Sequence, residues 1–100
     1  LNFDAVFAAN DVMAMNVIRG LNDAGISVPE DVAVIGYDDV SAAEYFTPPL
    51  TTVRQSIERG SAILVDSLLN IIAGEYAQST LLPSELVVRR SCGADVNTKH

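Results

Sequence analysis

The stretch Val28-Pro29-Glu30-Asp31-Val32-Ala33-Val34-Ile35-Gly36-Tyr37-Asp38-Asp39 constrains the fold of this chain more than any other. A proline-led turn precedes a short aliphatic run, a glycine ends the run, and two carboxylates follow. Aliphatic residues without polar alternation are what a strand covered on both faces requires, and such strands belong to parallel sheets flanked by helices. In open sheets of that kind, polar ligands sit in the crevice beyond the C-terminal ends of the strands. Asp38 and Asp39 stand at that place. A second ordered run, Pro48-Pro49-Leu50-Thr51-Thr52-Val53-Arg54-Gln55, follows shortly after.

The remaining segments alternate in type and show no internal repeat. Residues 5–9 form a short apolar strand, and Asn10-Asp11 caps a helix, because a short amide or carboxylate accepts the unpaired amide hydrogens of a first turn. Val12, Met15, Val17, Ile18 and Leu21 follow a roughly helical period, and Gly25 ends the helix as a left-handed cap. Residues 32–37 form the second strand, so a strand-helix-strand unit with a right-handed crossover is expected. Residues 41–46 read as a short helix stopped by Pro48-Pro49, and residues 50–53 as extended chain, which Thr and Val favour. Ser56 opens the longest helix, with Ile57, Ile63, Leu64, Leu68, Leu69 and Ile72 on or near one face and Gly74 closing it. A last strand is expected over 84–90.

One hundred residues support one small core, burying about two-thirds of the unfolded surface by size scaling. A hydrophobic fraction of 49% asks for more cover than that length provides. The net charge of −7 excludes a DNA-reading module, which needs clustered Lys and Arg to neutralise phosphates; the six basic residues here are scattered. Cys92 is the only cysteine, so an intrachain disulfide is impossible and a cysteine-ligated metal cluster is excluded, and no base is placed to make it a nucleophile. No run of about 18 apolar residues is present to span a membrane. Residues 94–100, including His100, are polar and expected to fray.

Four blocks, Ala9-Asn10-Asp11-Val12-Met13-Ala14-Met15, Val28 to Asp39, Pro48 to Gln55, and Leu86-Val87-Val88-Arg89-Arg90-Ser91, together resemble one family in order and spacing. The chain is similar to the C-terminal part of the effector-binding core of the lac/gal-type repressors, transcription regulators built on a periplasmic-binding-protein fold. The resemblance implies an α/β fold, a fragment of the type I doubly wound parallel-sheet architecture. It assigns residues 1–49 to the C-terminal lobe, 50–83 to a crossover and a helix of the N-terminal lobe, and 84–93 to a return strand. A chain of this extent lacks most of the sheet the long helix should cover, so association, swapping or partial order is expected. Starting at Leu1 and lacking a helix-turn-helix head, it is read as a piece of a longer regulator.

In the resembled family the first aspartate of the Asp-Asp pair binds effector hydroxyls, which here falls on Asp38. A carboxylate suits that task because it accepts from two adjacent hydroxyls, and charged acceptors make the stronger hydrogen bonds. Asn10 matches an effector-facing asparagine and Gln55 a crossover glutamine. Read from the residues alone, Asp38 serves equally well as a cap for the turn at Ser41, Asp39 and Asp11 as caps, and Gln55 as a group satisfying backbone before a helix. The resemblance also implies a homodimer through Met13, Val17, Ile18 and Leu21 with Ala42, Ala43, Glu44 and Tyr45, although Val17 and Leu21 equally suit the lobe's own core. Asn16, where many relatives carry glycine, alters that face.

The function so implied is effector sensing in a cytoplasmic, sugar- or metabolite-responsive repressor. The effector is a small polar compound, sugar or nucleoside-like, and operator DNA is read by a head outside this chain. No cofactor and no metal is called for. A solute-binding protein of a sugar transport system is the alternative; the Val-Pro-Glu-Asp-Val and Pro-Pro-Leu-Thr-Thr-Val blocks fit the regulators better. Catalysis by an Asp38-Asp39 pair is disfavoured, because adjacent residues after a strand diverge and no phosphate loop, His/Asp/Ser set or metal-spaced histidine accompanies them.

Overall fold

Short apolar runs separated by capped helices produce a strand-helix-strand unit, as the pattern requires. The computed structural model describes residues 2–94. In chain order it contains β1 (Ala5–Phe7), α1 (Asp11–Asp23), β2 (Ala33–Ile35), a 3-10 helix (Ser41–Tyr45), β3 (Thr52–Gln55), α2 (Ile57–Ile72) and β4 (Ser84–Val87). The expected tail lies, from residue 95 onward, outside the described residues. The chain divides into two compact units, one running to Arg54 and resuming at Glu85, the other Gln55–Ser84.

In the first unit β1 and β2 pair in parallel, with Ala5 opposite Ala33, Val6 opposite Val34 and Phe7 opposite Ile35. The pairing continues sideways where Ile35 bridges Thr51 in parallel and Gly36 N–H donates to the Thr51 carbonyl at 2.9 Å. Ala8, Ala14, Ile18, Val28, Val32, Val34, Ala43 and Leu50 form the buried core, with Val6, Met15, Val17, Leu21, Ile26, Val40 and Phe46 packed around it. Helix α1 covers the strands through Ala14, Ile18 and Leu21, spaced four and three apart on one face. Val12, expected on that face, is exposed, because Ala14 occupies the core position one-half turn on. Both helices end in the paired Schellman bonds that a left-handed glycine permits. At α1, Ile26 N–H reaches Leu21 O at 2.9 Å and Gly25 N–H reaches Asn22 O at 3.0 Å, with φ of 77° at Gly25.

The final strand is shorter than the expected span of 84–90. Beyond Val87 the backbone turns to other partners: Arg89 N–H donates to Thr51 Oγ1 at 2.8 Å, and the N–H groups of Arg90 and Ser91 both reach the Pro49 carbonyl. Ser91, fully buried, holds this return segment to the sheet. Its hydroxyl donates to the Val34 carbonyl and accepts from Thr51 N–H at 2.9 Å.

In the second unit, Ser56 caps α2 by accepting from Arg59 N–H, and Glu75 N–H closes the other end on Asn70 O at 2.8 Å. Leu82 lies along the helix beside Gly60, where an added Cβ would stand 3.4 Å from its Cδ1. No residue of α2 is buried.

Candidate functional site

Two turns meet at the C-terminal ends of β1 and β2. The first begins at Asn10, whose extended backbone lets its Oδ1 accept from Met13 N–H at 2.8 Å, so Asn10 is the N-cap of α1. This cap uses one acceptor only; the amide nitrogen carries two further donors. Asp11 is not a cap, contrary to the expectation for it. It is fully buried, its Oδ1 accepting from the Thr52 hydroxyl and its Oδ2 from Val40 N–H at 2.8 Å. Its own N–H donates to the Tyr37 carbonyl at 3.0 Å, which ties the first turn to the second.

Gly36 makes this possible. A Cβ there would collide with Asp11 Oδ1 and stand 3.0 Å from Leu50 Cδ2 and 3.2 Å from Ala14 Cβ. The close approach of strand and helix thus requires glycine at this position.

The second turn carries the carboxylate pair. Asp38 and Asp39 both have positive φ, 115° and 56°, a region non-glycine residues rarely adopt. Such strain, on the order of 1–3 kcal/mol per residue, persists only where surrounding contacts over-determine it, and it concentrates at functional sites. Here Asp38 N–H donates to the Val53 carbonyl at 2.9 Å and Asp39 N–H to Thr52 Oγ1 at 3.3 Å. Asp38 is exposed and Asn10 half-buried; the Asp11–Tyr37 bond brings their turns together. Gln55 is exposed and belongs to the second unit.

Asp39 does something no local pattern announces. Its Oδ2 accepts from Arg54 Nε and its Oδ1 from Arg89 Nη2, each at 2.8 Å, and its side chain is only 12% exposed. Burial pushes its carboxyl up, but hydrogen bonds and charge from Arg54 and Arg89 outweigh this and hold it below the usual carboxylate range. Arg54, bonded to Asp39 and facing Glu85, is held more firmly charged. Arg89 also donates through Nη1 to the Leu50 carbonyl at 2.8 Å. The partners lie 15 and 50 residues from Asp39 in sequence, so only their side-by-side placement in the fold could reveal them. Arg54, Arg89, Thr52 and Ser91 were accordingly missed.

Of the residues assigned to a dimer face, Met13, Ala42 and Tyr45 are exposed and Val17 is half-buried against the core. Ile18 does not belong with them. It is fully buried within its own unit, because it faces β2 from the core side of α1 and leaves nothing for a partner to touch. Asn16 turns back on its own helix, donating to the Val12 carbonyl at 2.8 Å. Among the described residues, no group of three or more His, Cys, Asp or Glu side chains is placed to hold a metal ion, and no helix is long and apolar enough to cross a membrane.

Parallel strands wound with a helix, with strained carboxylates beyond the C-terminal end of β2, define an α/β core of the doubly wound type. The periplasmic-binding-protein-like domain matches residues 2–92. The chain is 47% identical over 89 residues to the transcriptional repressor PurR of Edwardsiella ictaluri (strain 93-146), covering 87% of this chain and 26% of that protein. It is 39% identical over 89 residues to a lactose operon repressor of Rhizobium radiobacter, covering 88% of this chain and 79% of that one. Among solved structures it superposes on a transcriptional regulator CelR–cellobiose complex with a TM-score of 0.81 at 42% identity, covering 90% of this chain and 28% of that one. The chain belongs to the periplasmic-binding-protein-like domain family, within the effector-binding core of the lac/gal-type repressors. It spans 26% of the length of the PurR relative.

Proposed function

We propose that this chain is part of the effector-sensing core of a sugar- or metabolite-responsive transcription repressor. Asp38 accepts hydrogen bonds from hydroxyls of a small polar effector, with Asn10 as a further contact. Met13, Val17, Ala42 and Tyr45 contribute to a homodimer face. The observation that carries this reading is the pair of strained aspartates at the C-terminal ends of parallel strands, in a chain whose named relatives are repressors. Operator DNA is contacted by residues outside this chain, since a net charge of −7 does not suit a phosphate backbone. Effector binding then acts by differential affinity for two states of the regulator.

The relatives named are repressors, which does not favour a transport role. The reading is one of binding rather than catalysis: Asp39, ion-paired on both oxygens, is poorly suited to carry a proton at neutral pH. CelR in its solved complex holds cellobiose, a sugar with adjacent hydroxyls, the chemistry Asp38 suits. The test is calorimetric titration of the parent regulator with cellobiose, lactose, adenosine and inosine. Binding of one compound, weakened about 10- to 100-fold in Asp38→Asn as expected for a lost charge-assisted hydrogen bond, supports the assignment. Undiminished binding in that variant, or turnover of any of the four, overturns it.

A further inference from the structure

The chain leaves the first unit after Arg54 and re-enters it at Glu85. These two residues meet, Arg54 Nη1 donating to Glu85 Oε1 at 3.2 Å, while Arg54 Nε holds Asp39. Arg89 grips the other oxygen of Asp39 and the Leu50 carbonyl, joining the segment after β4 to the segment before β3. One carboxylate therefore gathers both passages of the chain. Its own backbone sits in the strained turn beside Asp38, a conformation that must be held from outside. The holding groups are at hand: Thr52 takes the Asp39 N–H, and Asp11 takes both the Thr52 hydroxyl and Val40 N–H. Asp39 and Arg89 are 12% and 16% exposed, so this part of the network is shielded from water, whereas Arg54 and Glu85 at 49% and 66% are not.

We propose that Asp39 is a positioning residue, its carboxylate fixing the turn that carries Asp38 to both strands through which the chain leaves and re-enters the first unit. The turn so held is the one that would offer Asp38 to a hydroxylated compound. The binding half of this inference rests on the reading of Asp38 as a ligand residue.

Its test is amide hydrogen exchange on the parent regulator and on its Asp39→Asn and Arg54→Met variants, with the Val34 amide as core reference. Asp39→Asn is expected to speed exchange at Asp38 and Val40 by about tenfold or more while Val34 is unchanged. Arg54→Met, which removes the more exposed arm and leaves Arg89 in place, should do the same to a smaller degree. Whichever of cellobiose, lactose, adenosine and inosine the wild type binds should bind Asp39→Asn about fivefold more weakly or worse. Unchanged exchange at the turn, an increase shared equally by Val34, or unchanged affinity overturns the proposal. Silence of the wild type toward all four compounds would defeat the functional reading instead, and the exchange measurement would then decide the positioning role by itself.

Discussion

The two helices began from similar patterns and met different fates. Helix α1 buries Asp11, Ala14 and Ile18, whereas α2, longer and richer in aliphatic residues, buries none. Ile57, Leu64, Val65, Leu68, Leu69, Ile71 and Ile72 of α2 are all exposed. Both helices are capped by a side chain at the start and by a glycine at the end, so local stop signals do not distinguish them. What differs is the surface opposite. Strands β1 and β2 face α1, and their parallel pairing supplies a continuous apolar floor. An amphipathic stripe states a demand for cover; whether it is met depends on elements elsewhere in the chain.

That contrast breaks first, if it is wrong, in the core of the first unit. Leu50→Ala empties a fully buried site and should lower stability by about 2–5 kcal/mol, as large-to-small core substitutions do. Denaturant unfolding reads this directly, and a change near zero would mean that the first unit is no better packed than the second. Next comes Asp11→Ala, which strands the Val40 N–H and removes the partner of the Thr52 hydroxyl; a loss of about 1–3 kcal/mol is expected from the same measurement.

A smaller effect follows from pH. Because the Asp39 carboxyl is held below its ordinary range, its folded state favours the charged form. The resulting stability is fully present above the ordinary carboxylate value and is lost as pH falls through the lowered folded value. Melting temperatures taken from neutral to strongly acid pH should therefore decline less steeply in Asp39→Asn than in wild type; parallel curves would remove the ion pairs from the energetics. Smallest of all, Leu64→Ala in α2 should change the stability of this chain by no more than about 0.5 kcal/mol, since its side chain is 73% exposed. A larger loss would mean that this face of α2 is covered after all, and would close the gap between the two helices.

Much of the local plan was legible. Both long helices, the 3-10 turn, the two glycine stops and the four strands fall close to where apolar period and cap chemistry put them; β1, β2 and β4 are shorter than expected, and β3 lies two residues later, over Thr52–Gln55 rather than 50–53. Asp38 beyond the end of β2 was legible too, because a glycine after an aliphatic run marks a strand end. The role of Asp11 was not: its spacing matches a cap as well as Asn10 does, and only the arrival of Thr52 and Val40 made it a buried anchor. Ile18 shows the reverse error, an apolar helix residue assigned to a partner when its own strands already enclosed it.

Sequence alone settled what depends on neighbours a few residues away, such as Asn10 accepting from Met13 and the glycine ends of α1 and α2, because those hydrogen bonds close within one or two turns of chain. Tertiary structure decided what depends on distant partners. Asp39 draws Arg54 and Arg89 to one carboxylate across 15 and 50 residues, and Ser91 joins Val34 across 57. Charged and hydroxyl side chains carry no directional pattern along a sequence, and their pairing emerges only once the strands have fixed which segments lie side by side.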